Sequence, residues 1–252
     1  MVATKRPSFR IALLNCEDDP HYGRPLARMV SEWLQAEVRD YDVKNGQMPS
    51  FAELRPYDGI VVGGSLNSAN DLEPWILRLC NVLPALASDS SMPGVLGICF
   101  GHQILAKALG GRVERNSAFG VQLGKRRFTA GDTALARQKL SGLGQQITSI
   151  AAHGDAVMAI PPGAESLGES TPCCYEGFVT GNGRVITFQC HPEFGGSQFG
   201  CRAYLGLMEA MEQAGEVDGK LDCRRDTTGT DDQALREAVW AHFEQTRPKS
   251  AL

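Results

Sequence analysis

No apolar run in this sequence is long enough for a membrane-spanning helix, which requires roughly 20 consecutive apolar residues. Positive charge is not in excess either, since 25 Lys and Arg residues against 29 Asp and Glu residues give a formal net charge of −4. The sequence also has no basic run of the kind that binds nucleic acids or anionic membranes. We therefore expect no nucleic-acid partner and no membrane partner.

The eight cysteines lack metal-ligand spacing, because none of them falls in a Cys-x-x-Cys pair. The first seven residues have no apolar core, so they do not resemble a secretory signal. We expect reduced thiols, a cytoplasmic location, and neither a bound metal nor a cofactor. The cysteines are Cys16, Cys80, Cys99, Cys173, Cys174, Cys190, Cys201 and Cys223.

The N-terminal half alternates short apolar runs with stretches of helical periodicity. This β-α-β-α order predicts parallel strands joined by right-handed crossovers, with helices on both faces of the sheet. Pro84 lies inside the second helical stretch and should kink or end it. The predicted strands are 10–15, 38–43, 58–62 and 93–98, and the predicted helices are 26–34, 71–86 and 102–109.

From about Arg112 the pattern changes to shorter, more alternating segments. These segments predict the antiparallel strands of a mixed sheet, followed by a helix that closes the domain. We expect an N-terminal extension (1–9), one α/β domain (10–214), and a polar linker with a C-terminal amphipathic helix (215–252), capped by Asp231 or Asp232. The predicted strands are 120–129, 147–152, 173–179 and 184–189, and the closing helix is 202–214.

Cys99 lies between an apolar strand and a helix, in the segment Gly97-Ile98-Cys99-Phe100-Gly101. Glycines on both sides permit a strained turn that lifts the cysteine side chain clear of the sheet. The helix N-terminus behind the cysteine favours its thiolate. The segment therefore indicates a cysteine nucleophile.

A cysteine nucleophile needs a base within hydrogen-bond reach and a third group that orients the base. His191 and Glu193 follow a predicted strand in His191-Pro192-Glu193, which makes them the best candidates. A histidine alone is more often structural, and the catalytic interpretation depends on its pairing with the cysteine turn.

Gly63 and Gly64 directly follow another predicted strand. Because the carboxyl ends of parallel strands meet at one crevice, we expect this turn to form the second wall of the site. The backbone N–H groups of Gly64 and Phe100 could then bind the oxyanion of a tetrahedral intermediate.

Together, these motifs resemble the class I (triad-type) glutamine amidotransferase family, which includes the glutaminase half of GMP synthetase. The resemblance implies a three-layer, flavodoxin-like α/β sandwich with a mostly parallel mixed central sheet. It also implies that Cys99 is the nucleophile, His191 the general base and acid, and Glu193 the orienting carboxylate.

Further substrate contacts also follow from the resemblance. Gln103 matches a residue that contacts the bound glutamine, and we also expect Gly63 of the glycine turn to contact the substrate. His153 lies in a segment similar to one beside the family's pocket, where a structural and a substrate-binding role are equally open. In two places the chain departs from the family: Ser65 replaces the usual proline of the oxyanion loop, and Cys190 replaces the glycine often found before the histidine.

Within the family, the chain looks most similar to free-standing γ-glutamyl peptidases. This similarity implies hydrolysis of a small γ-glutamyl substrate, such as glutamine, glutathione or a glutathione conjugate, through a thioester on Cys99. One alternative is a glutaminase subunit that supplies ammonia to a separate synthetase partner, and another is a catalytically silent binding protein. A third is a hydrolase or lyase of the glyoxalase-like branch, whose histidine directly follows the cysteine, whereas Phe100 does so here.

Overall fold

Eleven strands and eight helices occur in the computed structural model, which describes residues 9–215 and 225–248. The first part of the chain contains β1 (Arg10–Asn15), α1 (Leu26–Leu34), β2 (Glu37–Asp42), α2 (Phe51–Leu54), β3 (Gly59–Val62), α3 (Pro74–Ser88), β4 (Gly94–Ile98) and α4 (Phe100–Ala108). The second part contains β5 (Arg112–Arg115), β6 (Gln122–Ala130), α5 (Ala134–Lys139), β7 (Gln146–His153), β8 (Asp155–Ala159), β9 (Glu165–Ser170), β10 (Cys173–Val179), β11 (Val185–Phe188), α6 (Pro192–Gly195), α7 (Gln198–Gln213) and α8 (Asp232–Thr246).

The main sheet has nine strands in the order β2-β1-β3-β4-β11-β10-β9-β6-β7. The first five strands in this order run parallel, and the remaining pairs are antiparallel. Successive residues of β1 enter two different apolar cores: Ile11 and Leu13 join one, while Ala12 and Leu14 join the other. Because side chains of a strand alternate between its faces, each face of the sheet has its own core. The predicted α/β sandwich with a mostly parallel mixed sheet is confirmed.

The predicted direction of the strand at 184–189 is wrong on one side. β11 pairs in parallel with β4, with Ile186 opposite Leu96, and only its β10 neighbour is antiparallel. All four residues of β11 are buried, as expected for a central strand covered on both faces. This position puts the residues after β11 next to those after β4.

Several local features also differ from the sequence prediction. Pro84 does not end α3, which continues to Ser88. The short helices α2 and α5 lack a long periodic pattern and begin instead at the side-chain caps Ser50 and Thr133. The pattern also does not predict the strands β5, β8 and β9.

The C-terminal helix α8 packs into the same core as β1 and α1. Its buried Trp240 donates from Nε1 to the Leu34 carbonyl over 2.8 Å, and Trp33 donates to the Asp232 carbonyl over 2.8 Å. Asp231 occupies the N-cap position, but its carboxylate accepts from the Thr148 amide rather than from the helix. The predicted side-chain cap is therefore wrong.

The domain boundaries at 9/10 and 214/215 stay predictions. Residues 1–8 of the predicted extension, residues 216–224 of the predicted linker and the final residues 249–252 lie outside the described chain. Within the described ranges, each helix is too short or too polar to span a bilayer.

Candidate active site

Cys99 forms the junction between β4 and α4, and its backbone has the strained turn that the sequence predicts. Its φ of 51° and ψ of −104° lie outside the regions favoured by non-glycine residues. The Cys99 amide donates to the Phe188 carbonyl over 2.9 Å, which ties this turn to β11. The buried Sγ atom lies 3.7 Å from the Ala152 carbonyl oxygen.

The glycines around Cys99 are required by close backbone approach. A Cβ on Gly97 would lie 2.7 Å from the Gly101 carbonyl oxygen, and a Cβ on Gly101 would overlap the Val62 carbonyl of β3. Only glycines at both positions allow α4 to start this close to the sheet. The first backbone amides of α4, beginning with that of Phe100, have no partner inside the helix.

His191 and Glu193 lie at the carboxyl end of β11, in the turn that begins α6. His191 Nδ1 lies 2.7 Å from Glu193 Oε1, and both side chains are almost completely buried. The other ring nitrogen, Nε2, is buried and hydrogen-bonds no nitrogen or oxygen atom of the described residues. Phe194 stacks on the imidazole with 4.7 Å between ring centroids, which fixes the ring plane.

The charges around His191 favour its protonated form. Burial alone would lower the pKa of His191, but the negative charges of Cys99 and Glu193 raise it to about 10. The two acidic groups therefore act on the imidazole from either side, as a nucleophile and an orienting carboxylate would. The structure brings the three predicted catalytic residues into one buried cluster.

The glycine turn after β3 forms the opposite side of this cluster. A Cβ on Gly64 would lie 3.1 Å from His191 Cε1, so the Gly64 backbone lies directly beside the imidazole. Gly63 instead donates to the Leu14 carbonyl over 3.1 Å and packs against Leu26. Gly63 is not among the residues that line the cavity described below, and its substrate contact stays a prediction.

Gln103 and His153 are buried side by side against the strand β8. Gln103 Nε2 donates to the Asp155 carbonyl over 3.0 Å, and His153 Nδ1 lies 2.9 Å from the same oxygen. Burial lowers the pKa of His153 to about 4, so this imidazole is neutral. Both side chains reach the cavity, and their predicted substrate contacts remain predictions.

A cavity of about 580 Å³ opens above Cys99 and His191. Both polar and apolar residues line this cavity. The polar ones include Ser65, Asn67, Ser68, Gln103, Arg115, His153 and Asp155, and the apolar ones include Leu66, Val121, Leu123, Phe194, Leu207 and Met211. In the described part of the chain, no group of three or more His, Cys, Asp or Glu residues is placed to hold a metal ion.

Tyr22 contacts the cluster from the loop after β1, although no sequence motif marked it. Its hydroxyl donates to Glu193 Oε1 over 3.3 Å, and its ring lies edge-on to His191 at 5.6 Å. Burial and then the Glu193 charge raise the pKa of the Tyr22 hydroxyl well above its ordinary value. Tyr22 is thus a neutral hydrogen-bond donor to the carboxylate that orients His191.

Several known proteins are similar to this chain in sequence or in fold. Residues 22–205 match the family described as glutamine amidotransferase class-I. Gamma-glutamyl peptidase 3 of Arabidopsis thaliana is 32% identical over 206 residues, covering 77% of this chain and 80% of that protein. One subunit of the glutamine-hydrolyzing GMP synthase of Archaeoglobus fulgidus is 32% identical over 163 residues, covering 64% of this chain and 80% of that protein.

Two crystal structures show the same fold. The glutamine amidotransferase of Thermotoga maritima matches with a TM-score of 0.73 at 18% identity, covering 96% of this chain and 99% of the other. That of Methylobacillus flagellatus matches with a TM-score of 0.72 at 22% identity, covering 97% of both chains. The sequence match spans both the cysteine turn and the His191–Glu193 pair, and the chain therefore belongs to the class-I glutamine amidotransferase family.

Proposed function

We propose that this protein hydrolyses the γ-glutamyl amide bond of a small molecule through a thioester on Cys99. The observation that carries the proposal is the buried cluster of Cys99, His191 and Glu193 at the base of a cavity of about 580 Å³. A cysteine, a base and an orienting carboxylate are the three groups that acyl transfer requires.

In the first half of the reaction, the Cys99 thiolate attacks the γ-carbonyl carbon of the substrate. The amides of Gly64 and Phe100 donate to the resulting oxyanion. Protonated His191 gives its Nε2 proton to the amide nitrogen, the C–N bond breaks, and the amine leaves. The products are the free amine, the γ-glutamyl thioester and a neutral imidazole held by Glu193.

In the second half, neutral His191 accepts a proton from water while the oxygen of that water attacks the thioester carbon. The C–S bond breaks, glutamate leaves, and the thiolate and imidazolium are restored. Glu193 holds Nδ1 of the imidazole throughout, so Nε2 faces the reacting atoms in both halves.

The cavity favours a substrate whose nitrogen carries an organic group. Its volume of about 580 Å³ lies within the roughly 300–1,000 Å³ typical of small-molecule pockets. Leu123, Leu207 and Met211 add apolar surface to its lining, which the polar glutamyl group does not need. We therefore propose glutathione, a glutathione conjugate or another γ-glutamyl metabolite ahead of free glutamine.

A second candidate function is that of a glutaminase which delivers ammonia to a separate synthetase. The similarity to one subunit of a GMP synthase favours it. The same Cys99 chemistry would operate, but turnover would depend on the presence of the synthetase partner.

Glutamate release by the purified chain tests these proposals. The substrates are glutamine, glutathione, a glutathione S-conjugate and a γ-glutamyl anilide, each with wild-type protein, Cys99→Ala and the exposed-thiol control Cys174→Ala. We expect release that Cys99→Ala abolishes and Cys174→Ala leaves unchanged, with the larger amides turned over faster than glutamine. Glutamine hydrolysis that begins only when a synthetase is added would favour the second candidate. Release that persists in Cys99→Ala would contradict both.

A further inference from the structure

Glu17 is a buried carboxylate near the cluster that the proposed reaction does not use. Only 3% of the residue is exposed, and its two oxygens accept five hydrogen bonds. Oε1 accepts from Lys44 Nζ at 2.5 Å and from the backbone amides of Asp18 and Asp19 at 2.9 and 3.2 Å. Oε2 accepts from Ser65 Oγ at 3.1 Å and from the Leu66 amide at 2.7 Å.

These bonds join the loops that follow three neighbouring parallel strands. Glu17 belongs to the loop after β1, Lys44 to the loop after β2, and Ser65 and Leu66 to the loop after β3. Charged hydrogen bonds to a buried carboxylate are stronger than neutral ones, and the low dielectric of the interior strengthens them further. One side chain therefore fixes the relative positions of three loops at this edge of the sheet.

The two residues held by Oε2 come directly after Gly64, whose backbone lies beside His191. Ser65 does not impose the fixed φ that a proline would, so this turn depends on hydrogen bonds for its rigidity. Ser65 Oγ also accepts from the Asn67 amide at 3.1 Å, which extends the same network along the loop. Loss of the Glu17 contacts would leave the Gly64 peptide free to reorient.

The loop after β1 also depends on Glu17 for its position. Asp19, whose amide bonds Glu17, accepts from the Tyr22 amide at 3.1 Å, and Tyr22 contacts Glu193. A Cβ on Gly64 would overlap the Tyr22 hydroxyl, so the two loops touch directly above the imidazole. Of the three loops that Glu17 joins, the one after β1 and the one after β3 thus contact the catalytic cluster.

We propose that Glu17 is a positioning residue for acyl transfer, which holds the turn from Gly64 to Leu66 so that the Gly64 amide meets the oxyanion. This inference rests on the proposed function, because it assigns Glu17 to the oxyanion side of the same reaction. The carboxylate acts through the loop and does not touch the reacting atoms.

Glu17→Gln is the main test, because it keeps the shape of the side chain but turns one accepting oxygen into a donor. We expect kcat for the γ-glutamyl anilide to fall about 10- to 100-fold, less than the roughly 100- to 1,000-fold that complete loss of an oxyanion donor costs, with KM changed by less than about 3-fold. Alkylation of Cys99 by iodoacetamide forms no oxyanion, so its rate should stay that of wild type. A kcat equal to that of wild type, or an equal fall in kcat and alkylation rate, would overturn the proposal.

Asp18→Asn is the matched control. Asp18 pairs with the same Lys44 at 2.9 Å, but the polar partners of its half-exposed side chain are Lys44, Glu17 and Asn45 rather than residues of the loop after β3. We expect its kcat to match wild type. Ser65→Ala, which removes one of the two bonds to Oε2, should lower kcat less than Glu17→Gln and keeps the test available if Glu17→Gln does not fold.

Hydrogen exchange tests the positioning role of Glu17 independently of whether the protein hydrolyses a γ-glutamyl substrate. In Glu17→Gln, amides of residues 63–68 should exchange faster than in wild type, while those of α4 stay unchanged. A wild-type protein with no turnover of any γ-glutamyl substrate would contradict the proposed function alone. Unchanged exchange at 63–68 would contradict the positioning role of Glu17 whatever the turnover.

Discussion

At the scale of single residues, the charge on His191 depends on two acidic neighbours that outweigh burial. Burial lowers the pKa of this imidazole, whereas Cys99 and Glu193 raise it to about 10. If the Cys99 sulfur is removed, His191 loses one of the two negative charges that raise its pKa. Burial, which lowers the pKa, then has the larger effect. Because burial favours the neutral imidazole, the pKa must then move down.

We therefore expect Cys99→Ala to lower the pKa of His191 by about 1 to 3 pH units, the effect of losing a close opposite charge. An NMR titration of the histidine ring carbons checks this shift. The pKa values of His102 and His242 are lowered to about 3 and that of His153 to about 4, all by burial, so none of these signals overlaps the His191 transition. A His191 pKa that is the same with and without the sulfur would show that the two groups do not interact.

At this scale the sequence predicts the candidate catalytic residues better than the residues that hold them in place. Cys99, His191 and Glu193 follow from motif types and their order, because the strand ends that carry them converge in any parallel sheet. Tyr22 and the bonds of Glu17 could not be predicted in this way. Their contacts depend on the path of irregular loops, which no periodic pattern encodes.

At the scale of elements, the approach of α4 to β3 is set by a glycine. A Cβ on Gly101 would overlap the Val62 carbonyl, so Gly101→Ala must push the helix and Cys99 away from the sheet. We expect a loss of about 1–3 kcal/mol in the free energy of unfolding, measured in urea, and a fall in kcat.

Gly206→Ala is the matched control for that substitution. Gly206 lies inside α7, and a Cβ there would meet only His21 Nδ1 at 3.8 Å. Since alanine is the better helix former, this variant should gain about 0.5–1 kcal/mol. Equal stability changes in the two variants would contradict the close-approach argument.

Predictions of whole elements succeed where the hydrophobic periodicity is strong. They fail where the structure of a segment depends on the elements that it packs against. The buried residues of α1 are those of the predicted apolar face, including Leu26, Val30 and Trp33. The direction of β11 was wrong on its β4 side, because a short apolar strand has the same pattern in either orientation. Pro84 does not end α3, so the predicted break is wrong, while the predicted kink stays a prediction.

At the scale of the whole molecule, the C-terminal helix extends the core on one face of the main sheet. Phe243 of α8 is completely buried. Its ring packs directly against Gly59 of β3, since a Cβ on Gly59 would lie only 2.5 Å from the Phe243 ring carbons. Asp232, at the start of α8, bonds Ser149 of β7 at 2.5 Å. The sequence predicts the amphipathic helix, but which surface it covers depends on contacts far apart in the chain.

We propose that α8 and the α/β domain unfold as one unit, and Phe243→Ala tests this. Removal of a fully buried phenylalanine costs about 3–5 kcal/mol when its helix belongs to the cooperative core. The exposed neighbour Glu244 provides the control, since Glu244→Ala should change stability by less than about 0.5 kcal/mol. Urea unfolding followed by tryptophan fluorescence reports both sides of the contact, because Trp33 lies in α1 and Trp240 in α8. A single transition, shifted in Phe243→Ala, is expected. An unshifted main transition preceded by separate loss of α8 would instead place the end of the folding unit near residue 214.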